Sequence, residues 1–146
     1  MRTTSNHLTK QHVALIVALA ALALAAVVFA HDSRGILSAH YHVDTTAGRQ
    51  AYLHTLGFEI DPASEDVQRT SVPLRFDSMM KDYNALQRRQ GFDLTPYAGL
   101  PVTVVTYALQ EAPDELVTLW VCNGVVIAGD VHTAASDGWM RGITDD

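Results

Sequence analysis

The sequence predicts an α+β domain: two helices packed on one face of an antiparallel sheet of about four to five strands, preceded by one transmembrane helix. Three observations carry this prediction. Residues 13–30 form an unbroken run of 18 uncharged apolar residues. Residues 76–99 (FDSMMKDYNALQRRQGFDLTPYAG) spell out a helix start, an apolar face, a helix stop and a turn. From Pro101 onward β-branched and aromatic residues dominate, and Asn123-Gly124 separates two such runs. Asn-Gly between strands favours a two-residue type I′ hairpin, because both central positions need positive φ.

Taken in order, residues 1–12 are polar and basic, with Arg2 and Lys10, so this short N-terminus is expected to stay in the cytoplasm. At ~1.5 Å per residue, segment 13–30 covers ~27 Å, enough to cross a hydrocarbon core. Val28-Phe29-Ala30 offers the small residues of a cleavage site. The run is nevertheless longer than the ~7–15 apolar residues of a signal peptide, and an uncleaved signal-anchor fits it better than a cleavable signal peptide. Both readings place the rest of the chain outside the cytoplasm; the signal-anchor makes it a single-pass protein of the cell membrane with an extracytoplasmic C-terminal domain. Residues 31–43 (HDSRGILSAHYHV) show no period and read as a stalk; residues 44–146 read as the domain.

Residues 31–146 hold all 16 acidic residues and 8 of the 10 basic ones, a formal charge of −8. Such a surface disfavours nucleic acid, which rewards clustered Lys and Arg, and disfavours anionic lipid. Cys122 is the only cysteine, which excludes an intramolecular disulfide and suits a bacterial envelope protein.

Asp44, Thr45 or Thr46 can cap a first helix that runs to about Leu56. Ala47, Ala51, Tyr52, Leu53 and Leu56 supply its apolar face, Gly48 weakens it, and Gly57-Phe58 ends it. Phe58–Ile60 is expected as a short strand, Asp61-Pro62 as a turn, and Glu65–Val72 as a strand with Val67 inside. Asp77 or Ser78 caps the second helix. Phe76, Met79, Met80, Tyr83 and Leu86 recur at three- and four-residue steps and are expected in the core. Lys81, Asp82, Gln87, Arg88 and Arg89 are expected toward water. Gly91-Phe92 closes the helix, and Thr95-Pro96 starts a short turn ending at Gly99. Pro101–Leu109 is expected as a strand, and if it lies at the edge of the sheet a partner peptide could add to it. Leu116–Cys122, apolar on both faces, is expected as a central strand. Val125–Val131 returns from the hairpin, with Gly129 marking a bulge or a close backbone approach. Trp139 and Met140 are expected to fold back onto the sheet edge.

The run Tyr83-Asn84-x-Leu86-Gln87-x-x-Gln90-Gly91-Phe92-Asp93-Leu94-x-x-Tyr97-x-Gly99 resembles a family of uncharacterised domains, domain of unknown function 4830. These stand after a single N-terminal membrane helix in Gram-positive, largely spore-forming bacteria. Arg49-x-x-Tyr52-Leu53-x-x-Leu56-Gly57-Phe58-Glu59-Ile60 is similar to the family's opening. Thr106-Tyr107, Asn123-Gly124, Gly129-Asp130-Val131 and Asp137-Gly138-Trp139-Met140 are similar to its later half. The resemblance covers roughly residues 46–143. It departs at Ala128, where a glycine is usual, and at His132, where a cysteine is usual. It implies architecture and location, and no catalytic residue.

Two clusters hold chemistry-bearing residues. His40, His42 and Asp44 alternate, so on an extended segment they share a face and could converge on Zn²⁺ or Cu²⁺. Two imidazoles in a stalk read more simply as solvated polar residues, and no metal or cofactor is assigned. Asp130, His132 and Asp137 form the second cluster. An Asp–His pair does acid–base work only with a nucleophile in reach. Ser136 is the nearest in sequence, and no nucleophile elbow precedes it. The simpler role for Asp130 is to hydrogen-bond the turn that carries Trp139. Asn84, Gln87 and Gln90 are amides that an apolar core does not require; they either pin the Gly91–Leu94 corner or line a site. The expected function is therefore a membrane-anchored, non-catalytic protein- or ligand-interaction module of the cell envelope. Its candidate surface comprises Asn84, Gln87, Gln90, Asp130, His132, Asp137 and Trp139, with no catalytic residue assigned. The alternative is a small envelope hydrolase or metal-dependent enzyme built on Asp130, His132 and Asp137.

Overall fold

Local capping sets the two helices, α1 (Thr46–Thr55) and α2 (Ser78–Arg89). Thr45 accepts the Gly48 N–H and Asp77 accepts the Met80 N–H, each side chain satisfying a first-turn donor. Both helices stop at a glycine with φ 86°, Gly57 and Gly91. The aromatic that follows donates back into the last turn, Phe58 to the Leu53 carbonyl at 3.1 Å and Phe92 to the Gln87 carbonyl at 3.0 Å. One closure is thus used twice, as the repeated Gly-Phe predicts.

These elements belong to a computed structural model that describes residues 41–135 and 138–144. Segments 1–12 and 13–30, and the stalk up to His40, lie outside the described residues. Among the described residues no helix is long and apolar enough to cross a membrane. Val43 is fully buried in the core with Tyr41 packed against it, so the end of the expected stalk belongs to the folded unit.

The sheet contains β1 (Asp66–Ser71), β2 (Pro101–Ala108), β3 (Glu115–Cys122), β4 (Val125–Thr133) and β5 (Met140–Gly142), in spatial order β1-β2-β3-β4-β5. All neighbours are antiparallel. Helices and antiparallel sheet together make the α+β class. β3 is central, as its two-sided apolar pattern predicts. Asn123 (φ 50°) and Gly124 (φ 76°) form the β3–β4 hairpin. The last strand does fold back onto the sheet edge, although Trp139 and Met140 themselves are 44% and 49% exposed.

Several expectations are corrected. Phe58–Ile60 forms no strand; Ile60 makes a single bridge to Leu109. Val67 is exposed, because β1 is an edge strand open along its whole length. β2 lies between β1 and β3, so it has no free edge. The β3–β4 register shifts where Trp120 pairs with Ala128 and Val121 with Val126. Ile127 is thus the bulged residue, not Gly129. Gly129 marks a close approach instead: a Cβ there would stand 2.6 Å from Ile143 Cδ1.

The helices do not share one face. Alternation along a strand sends successive side chains to opposite faces. On β2, Val105 and Tyr107 join one core cluster, and Val102 and Val104 belong to the other. Tyr52 and Leu53 of α1 lie in the first cluster; Met80 and Tyr83 of α2 pack on the second. Phe92, just past α2, returns to the first cluster. The chain therefore wraps α2 around the β4 side of the sheet. Met79 points away, 79% exposed, and Gln87, expected toward water, is fully buried.

The α1 face is pinned by one buried guanidinium. Arg49 is 6% exposed. It donates to Glu65 Oε1 (2.7 Å), Thr46 Oγ1 (3.0 Å), the Val43 and Asp44 carbonyls (3.2 and 3.1 Å) and Tyr107 Oη (3.4 Å). Tyr107 also donates to Glu65. Burial pushes the Glu65 carboxyl up, but the bonds from Tyr107, Arg49 and Thr46 outweigh it and hold the group below its ordinary range. The turn at Tyr41–His42 comes so close to α1 that a Cβ on Gly48 would overlap the Tyr41 carbonyl oxygen. That glycine, unfavourable by helix propensity, is required by packing. Replacing Arg49 with Met should cost about 3 kcal/mol, because it leaves a largely buried Glu65 without its cation. Urea unfolding at neutral pH measures the loss; a change below about 0.5 kcal/mol would show that the network holds nothing together.

Candidate functional site

α2 carries the candidate site residues on two sides. Toward the sheet it presents Tyr83, Gln87 and, just past its end, Gln90. Away from the sheet Lys81, Asn84, Ala85 and Arg88 line a groove.

Two amides join α2 to β4. Gln87 Oε1 accepts the Gly129 N–H (2.9 Å), and Gln90 Nε2 donates to the Gly129 carbonyl (2.9 Å). Gln90 Nε2 also bonds Gln87 Oε1 at 3.0 Å. β5 pairs with β4 only from Asp130 onward. The two side chains thus take over, at Gly129, the outward-facing backbone groups that a longer β5 would have bonded. Both are buried, at 0% and 1% exposure. Gln87 Nε2 is left buried without a hydrogen-bond partner among the described residues.

Asn84 does a separate task. Its Oδ1 accepts the Leu94 N–H (2.8 Å), and its Nδ2 donates to Asp93 Oδ1 (3.0 Å) and Thr95 Oγ1 (3.3 Å). It pins the Gly91–Leu94 corner, one of the two roles its sequence position suggests. Asp93 also accepts the Thr95 N–H (2.9 Å) and pairs with Arg88 at 3.2 Å. Burial pushes its carboxyl up, but the bonds from Thr95, Asn84 and Arg88 dominate and hold it far below the usual aspartate range.

Asp130 follows Gly129 and points to the α2 face of the sheet. It is 2% exposed. Tyr83 donates its hydroxyl to Oδ1 at 2.7 Å, and His132 Nδ1 lies 2.8 Å from Oδ2. Burial raises the Asp130 carboxyl above its ordinary value despite both partners. Burial and the neighbouring carboxylate push the Tyr83 phenol well up. The pair expected from sequence, Asp130 and His132, does converge. Among the described residues Asp130 bonds Tyr83 and His132 and not the turn that carries Trp139, part of which lies outside them. Asp137 and Ser136 lie outside the described residues.

The sheet registers place Thr106, Thr118, Asp130 and Gly142 in one row across this face, with Ala108, Leu116, His132 and Met140 in the next. Thr106 and Thr118 hydroxyls meet at 2.9 Å. The Tyr83 and Trp120 rings pack with centroids 5.7 Å apart and planes tilted by 36°. Beyond Tyr83 this end of the face is open among the described residues: Thr106, Leu116 and His132 are half-buried and Met140 is exposed. Trp139 lies beside Arg141, whose guanidinium is 5.9 Å from its ring and 5.9 Å from that of Phe58. Cys122 is a buried core residue. His42 is exposed at φ 50°, and His40 lies outside the described residues. Among the described residues no three His, Cys, Asp or Glu side chains gather as metal ligands.

The sequence named Arg49 and Tyr107 only within the family-like motifs and gave Arg49, Glu65 and Tyr107 no shared role, since they are too far apart for any local pattern; nor did it mark Tyr83 as a polar partner. Lys81, Ala85 and Arg88 carried a legible signal, since positions i, i+4 and i+7 share a helix stripe.

Fold and site define a small α+β domain with an amide-clamped helix and a buried carboxylate that binds a phenol and an imidazole. The chain belongs to the family described as Domain of unknown function (DUF4830), whose model matches residues 52–131, more than half of its 146 residues. No match was found among curated proteins or among solved structures.

Two measurements check this site. Gln90→Leu should cost about 3 kcal/mol in urea unfolding, since the Gly129 carbonyl and Gln87 Oε1 each lose a buried partner; the exposed Gln68→Ala should cost under about 0.5 kcal/mol. Asp93 has a depressed pKa in the folded state, so the stability it contributes is present above the unfolded value of 3.8 and is lost as pH falls below it. Asp93→Asn should therefore unfold with a shallower acid limb than the wild type; equal limbs would remove Asp93 from the acid response.

Proposed function

We propose that this protein is a membrane-anchored, extracytoplasmic, non-catalytic interaction module of the cell envelope, held by segment 13–30. One observation carries the reading: both carboxylate oxygens of the buried Asp130 are engaged, by Tyr83 and by the half-buried His132, next to the open end of the sheet face. The pair is held as scaffold beneath that surface, and the amides that the sequence singled out are bonded to the chain's own backbone. What remains available for binding is surface: the open end of the α2 face and the groove outside α2. The apolar run and the positive residues before it support the anchor and the orientation; the acidic balance supports a partner other than nucleic acid.

A second reading rests on a specific observation as well. Asp130 bonds His132 Nδ1 and leaves Nε2 on the half-exposed side, the geometry by which a carboxylate orients a general base. That reading needs a hydrolysable substrate whose turnover His132→Ala abolishes while circular dichroism shows the variant still folded at the assay temperature.

The test of the first reading is photo-crosslinking in intact cells with the full chain. Crosslinkers at Thr106 and Met140 on the open face, and at Ala85 in the groove, should give a discrete adduct at one of these surfaces. A crosslinker at Gln68, on the edge strand, should give none. External protease should degrade residues 44–146 without lysis. Repeated absence of any site-specific adduct, or protection from protease, would overturn the reading.

A further inference from the structure

We propose that the groove outside α2 binds a small anionic amphiphile, with its aliphatic body over Leu74, Phe76, Ala85 and Ala98 and its acidic head at Lys81. This rests on the interaction reading above and names the ligand of one of its surfaces.

The groove has a volume of about 540 Å³, within the roughly 300–1,000 Å³ typical of small-molecule sites. Its size therefore fits a small ligand. The walls are apolar in the middle and cationic on the helix side. Leu74, 77% exposed, adjoins Phe76, Ala85 and Ala98 in the lining, and a contiguous apolar patch rimmed by polar residues is the kind that marks a ligand groove.

Charge selects the ligand's head. Residues 31–146 carry a formal −8, yet both charged side chains that line the groove, Lys81 and Arg88, are cations. Arg88 is already paired with Asp93 and also donates to Thr95 Oγ1 at 3.0 Å, which closes that end of the groove. Lys81 has no ion-pair partner among the described residues. One available cation at one end of an apolar trough matches a single acidic head on an aliphatic chain. The Asn84 amide beneath is fully occupied by Leu94, Asp93 and Thr95, so it gives the floor rigidity and no free donor.

The test uses the full chain in nanodiscs of zwitterionic phosphatidylcholine, with backbone amide shifts of Ala85 and Ala98 as the readout. Partition of a probe into the lipid leaves these residues unmoved. Dodecanoate should produce saturable shifts at both. Lys81→Glu should raise the midpoint about tenfold or more, the effect of losing roughly 1.4 kcal/mol. Ala85→Trp, an exposed helix position, should abolish the shifts while leaving the unfolding midpoint in place. Dodecanol, lacking the charge, should bind more weakly. The proposal is overturned by absent or non-saturating shifts, by equal midpoints for Lys81→Glu and wild type, or by equal midpoints for dodecanoate and dodecanol. It is also overturned if a crosslinker at Ala85 captures a protein instead. In that last case the interaction reading stands and only the ligand class falls; if neither ligand nor protein engages either surface, both fall.

Discussion

The bonds between Gly129 and the amides of Gln87 and Gln90 decide where α2 lies, and most of the site follows from that. A buried edge position with an unbonded N–H and carbonyl costs free energy comparable to a lost hydrogen bond for each group. β5 is too short to reach Gly129. Two glutamine side chains supply one acceptor and one donor in its place, at 2.9 Å each. The amides fit this task because a primary amide offers both functions at the end of a flexible stem. The glycine fits it because nothing projects from its Cα between the amides and the packed Ile143.

With α2 held at Gly129, the next residue along β4 and the helix turn before Gln87 are brought together. Asp130 and Tyr83 therefore meet at 2.7 Å. A buried carboxylate this well enclosed needs partners, since desolvation disfavours its charged form. Tyr83 and His132 provide them, and the raised pKa of Asp130 shows that they offset the burial only in part. The opposite face solves a similar problem with a different group. There Arg49 spreads its donors over two carbonyls, a carboxylate and two hydroxyls, and the Glu65 carboxyl ends below its ordinary range. The sheet is thus fastened on each face by one enclosed ion, one fixing α1 and the other facing α2.

Local chemistry was legible in the sequence, and long-range geometry was not. Asp77, Gly91, Asn123 and Gly124 act within a few residues of themselves, so their roles could be read directly. The face assignment failed at α2 because periodicity identifies a stripe and not what the stripe meets. Met79 belongs to the apolar stripe by spacing and points to solvent. Gln87 is polar by composition and fully buried, because its partner is a backbone position 42 residues away. Gly48 is a defect in α1 by helix propensity alone, and the Tyr41–His42 turn that rests on it is distant information for a local pattern. The Asp130–His132 pair was legible since alternate strand residues share a face. Its third member, Tyr83, was hidden because only the wrapped helix brings it there.

The same placement explains why the outer side of α2 is left to bind something else. A helix that covered the middle of a sheet face would have its remaining sides simply solvated. α2 instead sits at the sheet's margin, and the chain on both its flanks, Leu74–Phe76 before it and Thr95–Ala98 after it, returns along its outer side. Asn84 and Asp93 fix the second flank through the Leu94 and Thr95 amides. The trough between helix and flanks is therefore set by hydrogen bonds that do not depend on an occupant. A preformed trough loses little conformational freedom when filled, which favours binding by a modest ligand. Gln87 of the clamp and Asn84, which pins the corner, lie on one 12-residue helix, and Gln90 caps its end. Loosening Gln87 or Gln90 should thus disturb both surfaces together, whereas a change at Lys81 should disturb the groove alone.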